Sequence, residues 1–146
     1  MAKRFTDTEK WKKPFIRGLQ GAYKLLWLYI CDDCDHAGIW QVDIDVAQIR
    51  IGEKIDIKEA IKTFDEKIII FDKGNKWFIP SFIEFQYPSG LNPDNRAHNS
   101  IIILLEKYKL LEKQNKTLKR SLQGRKDMDM DMDMDMDMDK GTKKIK

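Results

Sequence analysis

Cys31, Cys34 and His36 are the residues whose types and spacing come nearest to reactive chemistry. A C-x-x-C pair with a histidine two residues on supplies three possible zinc ligands. The set stops there. His98 is distant and alone, and no second C-x-x-C follows. The pair lies in an apolar helical run, where cysteine most simply fills core or boundary space. Nearby aspartates raise a thiol's pKa and discourage thiolate chemistry. Neither a metal site nor a cofactor is expected. A Gly-rich phosphate loop, a Walker lysine, a nucleophile elbow and a His-Glu metal helix are all missing from the sequence. Acidic residues are scattered, with no recognisable catalytic pair. The chain is not expected to be an enzyme.

A second set of residues suits binding. Lys54, Lys58, Lys62, Thr63, Lys73, Asn75 and Lys76 lie between Gly38 and Pro80. That stretch reads as a strand (Ile39 to Val42), a short helix (Asp45 to Ile51) and a second helix (Asp56 to Phe64). A strand (Lys67 to Phe71), a tight turn at Gly74-Asn75 and a return strand (Trp77 to Ile79) follow. Two short helices and a hairpin are the order of a winged helix-turn-helix, which usually lays its second helix in the major groove of DNA. Lys58, Lys62 and Thr63 would then face the DNA, with Lys54 at the turn. Lys73, Asn75 and Lys76 would touch phosphate or the minor groove, where contacts position rather than specify. Glu59 and Asp65 share the helix, and it lacks the arginines that most often read guanine. Weak or shape-based binding is the expectation. A plain α/β hairpin with no DNA role would give the same pattern.

Local signals support these elements. Asp56-Ile57-Lys58-Glu59 looks like a capping box. Ile57, Ala60, Ile61 and Phe64 fall at i, i+3, i+4 and i+7, which makes one helix face apolar. Ile68 to Phe71 are β-branched or aromatic and too few for a helix, so they read as a buried strand. Gly74 and Asn75 tolerate the positive φ of a turn, and Pro80 ends the pairing by lacking a donor. Before this stretch, Ala22 to Asp35 is apolar nearly all round and should be the central buried helix. Gly38 ends that region in a left-handed conformation, and Trp40 should pack back on the helix.

The flanks are less regular. Ala2 to Gly18 is a basic arm carrying Lys3, Arg4, Lys10, Lys12, Lys13 and Arg17 against Asp7 and Glu9. Its Trp11 and Phe15, at i and i+4, would dock on the core as one helical turn, although Pro14 makes that turn short. The arm reads either as a phosphate contact or, somewhat better, as a solvated segment pinned by its aromatics. Gly52 is a plausible helix C-cap. Ser81 to Tyr87 alternates and would extend the sheet or wrap the core. Asn95 to Leu122 reads as a long helix whose apolar stripe (Ile101 to Leu118) narrows toward a basic end, suited equally to docking on the core or to a homodimer. Asp127 to Asp139 is a strict Asp-Met repeat, the mark of an expanded hexanucleotide in the gene, and disorder is the default for it. A Ca²⁺ or soft-metal role there would need a fixed loop.

The fold class expected is α+β, mostly α: a winged helix-turn-helix with an extra C-terminal helix and a disordered tail. The divisions are 1–88 (arm and winged helix), 89–94 (loop), 95–124 (C-terminal helix) and 125–146 (tail). The net charge of +3 is too mild to argue nucleic-acid binding by itself. With no signal peptide and no run of the roughly 20 apolar residues that a membrane span needs, a soluble cytoplasmic protein with reduced thiols is expected.

Phe5-Thr-Asp-Thr-Glu-Lys-Trp11, Tyr23-Lys-Leu-Leu-Trp-Leu-Tyr-Ile30 and Cys34-Asp-His-Ala-Gly-Ile-Trp40 together resemble a known family. It is the N-terminal winged-helix domain of phage and prophage replication proteins from gut Bacteroides-type bacteria. More distantly the chain is similar to replisome organisers and DnaD-type helicase loaders. The resemblance spans about Ala2 to Tyr87, carries no catalytic residues, and implies origin or fork DNA binding, self-association and replisome partners. After Leu122 the chain departs from the pattern, with no second globular domain to load a helicase. A transcriptional regulator and a protein-interaction scaffold are the alternative functions on the same fold.

Overall fold

The computed structural model describes residues 1–112. The expected helix beyond residue 112 and the Asp-Met tail therefore lie outside the described residues. Two compact units divide the chain, one spanning Met1–Ile79 and the other beginning at Pro80.

In the first unit a 3-10 turn at Lys10–Lys12 leads into α1 (Pro14–Arg17) and then α2 (Gly21–Asp33). Tyr23, Leu26, Trp27 and Ile30 form the buried stripe of α2 at helical spacing. Leu25 is largely exposed, so the helix is one-sided rather than buried all round. Gly38, with φ of 82°, turns the chain into β1 (Ile39–Gln41). Helices α3 (Ile44–Ile51) and α4 (Ile57–Phe64) follow, then β2 (Ile69–Phe71) and β3 (Lys76–Phe78). The strands form an antiparallel sheet in the order β1-β3-β2. The unit is an α+β winged helix-turn-helix.

Sheet register explains the core. Trp40, Trp77 and Ile70 lie in one cross-strand row, and Ile39, Phe78 and Ile69 in the next. Trp40 and Trp77 meet edge to face at 5.2 Å, and Trp40 meets Tyr29 of α2 at 6.5 Å. Strand β2 is one of the two sheet edges, and its Ile70 is 41% exposed where a buried strand was expected. It is also shorter than expected, because Asp65–Lys67 form a 3-10 turn.

That turn begins with a strained backbone. Asp65 caps α4 at φ 47°, ψ −121°, a region that side-chain-bearing residues rarely occupy. Relief of the strain outweighs the extra chain entropy of glycine. Asp65→Gly is expected to stabilise the protein by about 1 kcal/mol, read as a higher urea midpoint at unchanged slope.

The hairpin loop also differs from expectation. Asp72, Lys73 and Gly74 take positive φ (53°, 56° and 89°), whereas Asn75 is right-handed at −79°. The loop spans Asp72 to Asn75, closed by the Phe71–Lys76 pair, so it contains Gly74-Asn75 and begins two residues before them.

In the second unit α5 (Pro80–Gln86) replaces the expected extended stretch. Proline needs no donor in a first helical turn, so Pro80 opens a helix as well as it closes a strand. Helix α6 (Arg96–Lys107) is capped by Asn95, whose side-chain oxygen accepts from the Ala97 and His98 amides. It ends at Lys107 and helical backbone resumes at Leu111, so the single helix expected from Asn95 is broken at Tyr108–Leu110. Lys109 turns left-handed at φ 59°, and the Leu110 amide donates back to the Leu105 carbonyl at 2.7 Å. Ile101, Leu105 and Leu110 are buried. His98 is not isolated: its Nδ1 accepts from the Asn92 amide, and its ring packs on Tyr87. Among the described residues no helix is long and apolar enough to cross a membrane.

Candidate nucleic-acid interface

The helix pair is fixed from its turn outward. Asp43 caps α3 by accepting from the Val46 amide at 3.1 Å. Gly52 closes α3 in the left-handed region, and its amide reaches the Gln48 carbonyl. The Gln48 side-chain oxygen then accepts from the Ile55 amide at 2.7 Å, tying the turn to α3. Asp56 caps α4 through the Lys58 amide at 3.0 Å. The reciprocal half of the expected capping box is not made. The Asp56 amide donates to the Tyr23 hydroxyl at 3.2 Å, and Glu59 instead accepts from Thr63 Oγ1 at 3.4 Å. These bonds set how α4 leaves the body of the unit.

The other end of α4 is set by aromatic packing. Phe64 meets Trp27 at 5.1 Å, Trp77 at 6.3 Å and Phe15 at 6.4 Å. Ala60 and Phe64 are buried on one side. Lys58 and Lys62, four residues apart, share the opposite side and are exposed. Glu59 is exposed between them. Ile57, expected on the buried face, is partly open at its edge.

The remaining predicted site residues are placed unevenly. Lys54 is exposed at the turn, beside an open depression lined by Asp45, Gln48, Ile49, Gly52 and Glu53. Thr63 is half-buried with its hydroxyl on Glu59. Lys73 and Asn75 are exposed in the hairpin loop. The Asn75 carbonyl is taken by the Val42 amide and the Gln41 side chain. Lys76 is occupied: its Nζ donates to Gln41 Oε1 at 2.7 Å and pairs with Asp72 at 3.6 Å, leaving the side chain 21% exposed. Lys54, Lys58, Lys62 and Lys73 are all exposed, while Lys76 is the one the local bonds hold back.

Sequence reasoning missed a polar network behind this surface. Trp40 Nε1 donates to Asp33 Oδ2 at 3.0 Å, and Arg50 pairs with Asp33 at 3.6 Å while donating to the Tyr29 hydroxyl at 3.0 Å. Burial raises the Tyr29 pKa, against the lowering effect of the Arg50 hydrogen bond. The network joins α2, β1 and α3, and no local spacing announces it. Up to Ile79 the chain has fourteen Lys and Arg against thirteen Asp and Glu, so positive charge is placed but not in excess.

The cysteines are set in packing. Cys34 is buried, its Sγ donates to the Cys31 carbonyl, and its own carbonyl accepts from Arg4. Burial pushes both thiols up to about 12, with Asp32 adding to the effect at Cys31 and Cys31 itself adding to it at Cys34. Among the described residues no three His, Cys, Asp or Glu side chains converge as a metal site would require. Comparison with family models, curated proteins and solved structures gave no match.

Proposed function

We propose that this chain is the DNA-binding winged-helix module of a phage or prophage replication-initiation protein, contacting duplex DNA through α4. One observation carries the reading: Lys58 and Lys62 stand side by side in solvent on the second helix of the helix-turn-helix, directly opposite its buried face. Lys73, exposed in the hairpin loop, supplies a further phosphate contact. Lys54, Thr63 and Asn75 are secondary contacts, and Lys76 shapes the base of the hairpin. No reaction is proposed for the chain. The replication assignment, rather than transcription, rests on the likeness at Phe5–Trp11, Tyr23–Ile30 and Cys34–Trp40. A regulator would bind a palindromic site spaced by dimer geometry, and an initiator repeated sites.

The test is an electrophoretic shift on duplex DNA across a salt series. Each phosphate contact contributes a log–log slope of about −0.9. Lys58→Ala with Lys62→Ala is expected to flatten the slope by roughly 1.8 and to weaken binding about tenfold or more at low salt. Unchanged binding by the double variant would reject the groove-facing role of α4. The close balance of charge and the position of Glu59 favour a second reading, a protein-interaction scaffold. Wild-type protein that leaves duplex unbound at low salt would select it.

A further inference from the structure

The N-terminal arm does not pack as its aromatic spacing suggests. Phe15 docks, half-buried, with its ring 4.9 Å from that of Trp27 and with Lys67 Nζ over the Phe15 ring, 5.2 Å from its centroid. Trp11 does not follow it. Pro14 separates the 3-10 turn at Lys10–Lys12 from α1, so the two rings belong to different elements and point apart in exposure. Trp11 is 54% exposed, while Trp27, Trp40 and Trp77 are 8% or less. An indole left this open is the costliest side chain to leave in water.

The arm around it is ordered by its own bonds. The Asp7 side chain accepts from the Glu9 amide at 2.9 Å and pairs with Lys13 at 2.6 Å. Lys12 pairs with Glu9, and Lys10 Nζ donates to Thr6. The Arg4 guanidinium ties the start of the arm to the Cys34 carbonyl at 2.6 Å. The result is a held platform: one open indole with Lys10, Lys12 and Lys13 adjoining it in the chain. Lysine is depleted from protein–protein interfaces, which argues against a protein partner here. An ammonium has three donors, so each of these lysines can keep its bond within the arm and still meet a phosphate. An aromatic face among lysines is the chemistry that holds an unpaired strand, because stacking needs a base whose own face is free.

We propose that the arm binds single-stranded DNA, with the Trp11 indole stacked on a base and Lys10, Lys12 and Lys13 meeting the flanking phosphates. This goes beyond duplex contact by α4 and stands apart from it. The other three tryptophans are buried out of reach of a stacked base, so quenching of intrinsic fluorescence on binding reports on Trp11. Full-length protein titrated with a (dT) oligonucleotide of about 15 nucleotides at low salt should show saturable quenching. Trp11→Ala should abolish the quenching and weaken binding about tenfold or more by anisotropy of labelled oligonucleotide, with an unchanged circular dichroism spectrum. Trp11→Phe should keep most of the affinity, since it keeps a stacking face. Lys58→Ala with Lys62→Ala should leave (dT) binding within about twofold while weakening duplex binding, which separates failure of this inference from failure of the duplex reading. Wild-type affinity in Trp11→Ala, or no (dT) binding by the wild type at low salt, would overturn the proposal and leave the indole to a protein partner.

Discussion

Replacing Phe64 by alanine is expected to destabilise the protein by about 3–5 kcal/mol. Phe64 is 1% exposed and touches Phe15, Trp27 and Trp77, so it joins α1, α2, α4 and β3 at one point. Helix α4 has eight residues, far too few to persist without tertiary packing. Its other fully buried side chain is Ala60, which brings little area, and Ile57 and Ile61 are only partly covered. The ring is therefore the main attachment of the helix. Against a typical net stability of about 5–15 kcal/mol, such a loss leaves a small reserve. Urea titration followed by circular dichroism measures it, and Phe64→Leu should recover roughly half. A loss below about 1 kcal/mol would show that the neighbouring rings close the gap and that α4 is held by its turn instead.

Trp40→Ala should be nearly as damaging, at about 3–5 kcal/mol, for a different reason. Trp40 is 1% exposed and is the partner of Trp77 across β1 and β3. Its indole N–H also satisfies Asp33, the carboxylate that holds Arg50. Truncation removes the ring contacts and the donor together. Trp40→Phe isolates the second part, because a ring remains while the N–H is lost. A cost of about 1–2 kcal/mol is expected for it. Trp77 supplies the contrast. Its Nε1 is buried with no hydrogen-bond partner among the described residues, so Trp77→Phe removes a group that packing leaves unsatisfied. It should cost less than Trp40→Phe in the same urea series. The reverse order would mean that Asp33 gains nothing from the indole.

What could be read from sequence follows how local each cause is. Asp56, Gly52 and the spacing of Ala60 and Phe64 act within one helical turn, and the helix pair lies where they place it. The run Ile68–Phe71 announced a strand, but burial depends on what packs against each side chain: Ile68 is buried while Ile70 is 41% exposed. Ser81–Tyr87 misled because its Phe, Ile and Tyr favour strands, while Phe82 and Ile83 are side by side on a helix opened by Pro80. The break after Lys107 carried no signal, since Lys109 takes the backbone turn that glycine usually supplies. Of the candidate contacts, Lys58 and Lys62 were legible from helical spacing alone. Lys76 was not, because Gln41, which restrains it, is 35 residues away in the chain. Trp11 was expected to dock, and the break at Pro14 separated it from Phe15.

The close match of cations and carboxylates up to Ile79 has a kinetic corollary. Such a surface projects little long-range field, so it does not draw a polyanion toward itself through solvent. Encounters then proceed at the unsteered pace of about 10⁵–10⁶ M⁻¹s⁻¹. If the proposed duplex contact holds, its occupancy becomes a matter of local crowding, filled by copies gathered by a tether or along an array rather than by an isolated molecule.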